Sequence, residues 1–274
     1  MHPVWSHIST DYPQLRPALI PGPESVPLTA ADMAAPETIG RAVDAATARY
    51  RMKERKAAAA VWWFSLTNSL SLPVATAMVE HYTVPDLDLA AGQLFQRQAS
   101  DDYWFGFTPG GARSSDEDAD YVAAAATMAR SFAPIMAAVS AHTGLRPAPM
   151  RAIFSDSLTL AAVGAGNQCW DPYRGVAVGQ LLYEGLSQVF AAPAPRYRLV
   201  TPAGLVEADL EAAARGEDPV DPADPAAEDI PVVGLRRSCC LIYRSETSGP
   251  CLSCPHQTPQ QRTRQILQHY GMAA

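Results

Sequence analysis

Lysine is nearly missing from this sequence. Of its 21 basic residues only Lys53 and Lys56 are lysine, and with so much alanine this reads as the coding bias of a GC-rich genome, not as a structural signal. A basic excess is missing too. The formal charge is -7, which argues against a nucleic-acid binder. The opening residues Met-His-Pro-Val-Trp-Ser contain no basic stretch followed by an apolar run, so no signal peptide is expected. Cysteine is scarce, at five in 274 residues, and four of the five fall within 16 residues. A secreted disulfide scaffold would spread them through a short chain, so a reducing, cytoplasmic setting is expected. No internal repeat is visible, and no regular alternation of strand and helix patterns suggests a parallel sheet. Gly164-Ala-Gly166 begins like a dinucleotide fingerprint, but it lacks the third glycine and is followed by Trp170-Asp171-Pro172. No direct nicotinamide site is expected.

One stretch tests for a membrane. Ala57 to Val79 carries no charge and is long enough to span a bilayer. It also contains Ser65, Thr67, Asn68, Ser69, Ser71, Thr76 and Pro73, which fits two buried helices joined near Pro73 better than a transmembrane span. Trp62, Trp63 and Phe64 are consecutive and cover most of a helix circumference, so this segment is expected to be buried on several sides.

What is present is enough apolar residue for a core, at 48%. The fold class expected is α+β: a helix-rich body with a few short strands and a small C-terminal module. Residues 1–28 are proline-rich and read as an irregular arm. Thr29 is placed to cap a helix starting near Ala30, and Glu37 to Tyr50 continues in helical character. Leu87 to Phe107 reads as two short strands with a turn at Gln98–Asp102. Tyr121 to His142 reads as a long helix ended by Gly144. Helices are also expected over Met150–Val163, Tyr173–Phe190 and Thr258–Tyr270, and a strand over Arg196–Val200. Val206 to Pro231 holds nine acidic residues and one basic, net -8, which leaves the rest of the chain at about +1. Its prolines 219, 222 and 225 mark a linker or long loop. The expected organisation is a substrate-binding body over 1–205, an acidic linker over 206–231, and a cysteine module over 232–274.

That module holds the densest chemistry. Cys239 and Cys240 are adjacent, ten residues follow, and Cys251-Leu-Ser-Cys254 completes the set. Four thiolates gathered this closely suit a metal or an iron–sulfur cluster. A structural zinc site usually takes two Cys-x-x-Cys knuckles, and here only the second pair has that form. A dithiol redox motif would leave Cys239 and Cys240 unexplained. Haem attachment needs a histidine directly after Cys254, where Pro255 stands. A [2Fe–2S] cluster tolerates unequal spacings because two irons share the ligands. Adjacent cysteines raise a geometric condition: neighbouring side chains on a strand point to opposite faces, so the chain must bend there or the two sulfurs must serve different irons. His256 is a weaker candidate to replace a cysteine. Cys169, alone in Gly-Asn-Gln-Cys-Trp, reads as a buried small residue.

Cys239, Cys240, Cys251 and Cys254, with Arg237, Tyr243 and Pro255 beside them, resemble the C-terminal module of the FhuF-type ferric siderophore reductases. The resemblance covers about 30 residues strongly, and the body only in its helical, alanine-rich character and the C-terminal placement of the module. It implies a cytoplasmic iron–sulfur oxidoreductase of iron homeostasis. Its four cysteines would hold one [2Fe–2S] cluster and pass one electron to Fe(III) in a siderophore, typically a hydroxamate. The electron would come from an external donor such as a ferredoxin or flavin reductase. From Val232 to Ala274 there are five arginines and one acid, Glu246. Arg236, Arg237 and Arg244 are expected around an anionic cluster, where positive charge favours the reduced form. Two other readings stay open: a zinc-stabilised binding module without catalysis, and a siderophore-binding protein without a redox role.

Overall fold

A computed structural model describes residues 2–207, 209, 212 and 230–272. The acidic segment expected as a linker lies almost wholly outside the described residues.

The N-terminal residues are more ordered than their proline content implies. Pro3–Asp11 forms helix α1, Arg16–Leu19 a short α2, and Val26–Leu28 a strand, β1. Proline costs nothing at the first turn of α1, where its missing N–H would be unpaired anyway. Trp5, Ile8 and Leu19 are fully buried and pack against Ala77. The irregular arm expected from composition is therefore a packed element, and the three- and four-residue spacing of Val4, Trp5 and Ile8 carries it.

Thr29 caps α3 (Ala30–Ala34) as expected, in a reciprocal capping box with Asp32, and α4 follows over Pro36–Tyr50. Next comes α5, Arg55–Val79, a single helix that runs straight through Pro73. The expected break is absent. An interior proline costs a helix about 3 kcal/mol, but α5 is enclosed on nearly all sides. Trp62, Trp63, Leu66, Leu70, Val74 and Met78 are each no more than 2% exposed. Burying side chains of this size stabilises by about 1.5–3 kcal/mol apiece, which outweighs the proline.

Gln93–Gln98 (β3) and Asp101–Thr108 (β4) form the expected hairpin, and β1 adds to β3 in an antiparallel sheet. Leu87 and Leu89, expected in the first strand, lie in the preceding loop and are buried there. Thr83–Pro85 (β2) pairs with Ala112–Ser114 (β5). Helix α6 covers Asp118–Thr143, and Gly144 ends it in the left-handed conformation at φ 70°. Among the described residues, α6 is the one helix long and apolar enough to cross a membrane, and half of that apolar window is buried inside the body.

Helices α7 (Pro147–Gln168) and α8 (Pro172–Ser187) complete the body, with α7 packed on α5 and α8, and α8 on α6. Gly164 and Gly166 lie inside α7, not in a phosphate-binding turn. A Cβ on Gly166 would stand 2.8 Å from the Gly175 Cα, so this glycine serves the close approach of α7 and α8.

Arg196–Thr201 (β6), Gly204–Glu207 (β7) and Val232–Leu235 (β8) form a second three-stranded sheet in the order β7-β6-β8. One face packs on α7 and α8 through Val163, Val176, Tyr197 and Val232. The other packs on α9, Pro259–His269, through Val200, Val233 and Ile266. The sheet thus joins residues on either side of the acidic segment. Its strand β8 delivers the chain directly to Arg236 and the cysteines.

Candidate metal centre

The turn after β8 is fastened to the body by one carboxylate. Asp156 lies in the middle of α7 and is 3% exposed. It accepts the backbone N–H of Arg237 at 3.0 Å, the N–H of Ser238 at 2.8 Å and the Ser238 hydroxyl at 2.5 Å. The Arg236 Nε stands 3.8 Å away. Burial pushes the Asp156 pKa above the usual carboxylate range, against the bonds from Ser238 and Arg237 and the Arg236 charge. Every one of these neighbours is a donor, so the ionised carboxylate is the form that fits the site.

Arg236 is equally enclosed, with its side chain 5% exposed. Its guanidinium lies over the Phe64 ring at 4.1 Å, a cation–π arrangement that covers one face of the group. Its Nη1 points at two thiols at once, 3.8 Å from both the Cys240 and the Cys251 Sγ. Burial works against this charge, but Cys240, Cys251 and Asp156 outweigh it and leave the Arg236 pKa above the arginine norm. Nε and Nη2 make no hydrogen bond. A buried guanidinium with free N–H groups among thiols calls for an anion beside it.

Past Arg236 the chain leaves strand geometry. Leu241 is left-handed at φ 63°, and Ile242–Arg244 turns as a 3-10 helix. This bend follows directly on the two adjacent cysteines. Cys239 meets Cys254, while Cys240 meets Cys251, so the neighbours engage the second pair crosswise. The second pair is itself shaped by a tight turn, with the Cys254 N–H on the Cys251 carbonyl at 3.0 Å. Cys240 and Cys254 are buried at 2% and 1%, while Cys239 and Cys251 are half-buried. Each contact therefore joins one enclosed sulfur to one nearer the surface.

The electrostatics are uneven. The hydrogen bond from Cys251, reinforced by the Arg236 charge, brings the Cys240 thiol down to about 6 against its burial. Cys251, which donates that bond and is itself half-buried, moves up. Burial also raises Cys239. Arg236 thus acts on the Cys240–Cys251 side of the set.

The other two arginines stand elsewhere. Arg237 contributes its backbone to Asp156, and its side chain is exposed. Arg244 is exposed and bound to Glu54 at 2.6 and 2.7 Å. His256 stacks on Tyr243 with ring centroids 3.8 Å apart. Cys169 ends α7, where its thiol donates to the Gly166 carbonyl at 3.6 Å.

The donor set suits a binuclear group. Among the described residues, no three Cys, His, Asp or Glu side chains converge on a position for a single metal ion. A zinc ion needs its four donors at about 2.0–2.3 Å from one point, whereas a two-iron cluster takes two thiolates at each end. Two thiol pairs beside a partly unsatisfied buried cation match the second requirement.

Asp156 and Phe64 belong to this site and lie outside the module's own sequence, while Ser238 stands directly before Cys239 with no motif to single it out. Asp156 did leave a mark: it is the lone acid in the apolar run Met150–Val163.

Residues 236–256 match the family described as the FhuF 2Fe-2S C-terminal domain. The module is a [2Fe–2S] domain of that type. No curated protein and no solved structure matches the chain.

Proposed function

We propose that this protein is a ferric siderophore reductase, which delivers one electron to Fe(III) held by a siderophore of the hydroxamate class. The observation that carries this reading is the crosswise set of four cysteines around the buried Arg236, within residues that match a FhuF 2Fe-2S domain. When bound, the cluster supplies a one-electron carrier. Cys239, Cys240, Cys251 and Cys254 are its ligands.

The remaining roles follow from the chain's own groups. Arg236 offsets the negative charge of a thiolate-ligated centre, most of all when an electron has been added. Phe64 and the packed Leu241 and Ile242 keep water from the inner side, and a lower local dielectric strengthens that charge interaction. The half-buried Cys239 and Cys251 leave one edge near the surface, where a bulky chelate or a donor protein can approach. Substrate chemistry asks for little more. Hard oxygen ligands hold Fe(III) far more tightly than Fe(II), so reduction loosens the chelate without acid–base assistance. The electron arrives from a separate carrier, a ferredoxin or flavin reductase, in the cytoplasm.

The test starts with protein prepared without oxygen. Iron, acid-labile sulfide and zinc are measured, and the visible absorbance is bleached with dithionite. After removal of excess reductant, a ferric hydroxamate is added with a ferrous-specific chelator present. The colour should return as about one Fe(II) per cluster is captured. A protein that holds iron and sulfide but stays bleached has another acceptor, and a colourless protein with one zinc and no sulfide is not a reductase.

A further inference from the structure

We propose that Asp156 is a positioning residue through which the helical body holds the Arg236 guanidinium on the Cys240–Cys251 side of the thiolate set, raising the reduction potential and making its two halves electrostatically unequal. The inference rests on the [2Fe–2S] reading of the module, not on the identity of its substrate.

The geometry is one of fixed ends. Asp156 sits 82 residues before Ser238 and binds that residue through both backbone and side chain. It also takes the Arg237 N–H on both of its oxygens, at 3.0 and 3.1 Å. Three consecutive residues, Arg236 to Ser238, are thereby referred to one carboxylate on α7. With the backbone set on one side and Asp156 3.8 Å from Nε, the guanidinium has little freedom. Phe64 closes its face. What remains is the direction of Nη1, which falls 3.8 Å from Cys240 and Cys251. Arg236 makes no such contact with Cys239 or Cys254. Hydrogen bonds and positive charge at the sulfurs are among the factors that set the potential of such centres.

Charge and position make opposite predictions for Asp156→Asn, and this makes the inference testable. Asp156 is negative, so if it acted only through its own charge, its neutralisation would raise the midpoint potential. If it acts by holding Arg236, releasing the guanidinium lowers the potential, as Arg236→Gln does. The experiment is redox titration of the cluster-loaded protein, with electron paramagnetic resonance of the reduced state as the second readout. It needs no ferric substrate, so failure of the proposed reductase activity leaves it valid.

Asp156→Asn should reduce the equilibrium constant for one-electron reduction about threefold, or about 28 mV at 59 mV per tenfold. Its spectrum should shift toward that of Arg236→Gln, and the double variant should titrate with Arg236→Gln itself. An unchanged or raised potential in Asp156→Asn overturns the inference, as does a further drop in the double variant. Should Asp156→Asn not assemble, Ser238→Ala removes one donor to Asp156 and leaves both charges in place. It should lower the potential by a smaller amount, and an unchanged potential and spectrum there overturn the inference equally.

Discussion

The helical body and the cysteine module of this chain are stabilised by different means. In the body, α5 and α7 are apolar around most of their circumference, and burial alone can hold them. The module has little of this. Apart from the sheet and Ile266 on α9, its enclosed groups are thiol, guanidinium and hydroxyl, set against the Asp156 carboxylate of the body. Buried polar groups stabilise only when fully partnered, and Arg236 is not fully partnered by protein alone. A region of the first kind tolerates loss of its cofactor. A region of the second kind depends on it.

The strongest way to break that contrast is to remove a sulfur. Serine at Cys239, Cys240, Cys251 or Cys254 should abolish or badly distort the visible absorbance and open residues 236–256 to proteolysis. The far-UV helical signal of α5 to α8 should stay near wild type. Cys169→Ser should change neither. Loss of helical signal in step with colour would show that body and module share one fate.

Next in size is Arg236→Gln. Its sequence position places positive charge beside the cluster, and its burial adds structural weight. Removing one partner of a buried ion pair costs about 3–5 kcal/mol, and the loss should appear as easier release of the cluster on heating. The potential should fall as well, by about 45 mV for each 1 kcal/mol of charge interaction lost. Replacing Asp156 and Arg236 together by their amides should restore part of the thermal stability but none of the potential.

A body substitution should show the opposite pattern. A Cβ on Gly185 of α8 would stand 2.1 Å from the Val122 carbonyl oxygen on α6, a backbone atom with no easy retreat. Gly185→Ala should destabilise the body by about 1–3 kcal/mol in chemical denaturation. The midpoint potential and the spectrum of the cluster should stay unchanged.

The smallest effects are expected at the two exposed arginines. Arg237→Gln keeps the backbone N–H that Asp156 needs, and solvent screens the charge it removes. Arg244→Gln breaks a surface pair with Glu54, a kind that contributes little. Both should leave the melting temperature and potential within error of wild type. A clear drop in potential for Arg237→Gln would restore it as a partner of Arg236 in tuning the centre.

Much of this was legible in the sequence because much of it is local. The Thr29 and Thr258 caps, the Gly144 stop and the hairpin around Ala99-Ser100 are each written within a few residues. Two of the expectations that failed did so because proline was given too much weight. Proline content hid the amphipathic pattern of α1, and Pro73 was given more weight than the packing around α5 allows.

By itself the sequence determined the chemistry of the module: four cysteines, their spacing, and the arginines beside them, which together match a 2Fe-2S domain. Spacing is a property of the chain, so it can be read without the fold. Only the tertiary structure decided that Cys239 pairs with Cys254 and Cys240 with Cys251. It also decided that Arg236, not Arg237, is turned inward, and that an aspartate 82 residues away holds that turn. Which of two neighbouring arginines faces a thiol depends on where β8 ends against α7. That position is fixed by Leu160 packing over Gly234 and by the hydrogen bonds of Asp156, long-range contacts that no local pattern encodes.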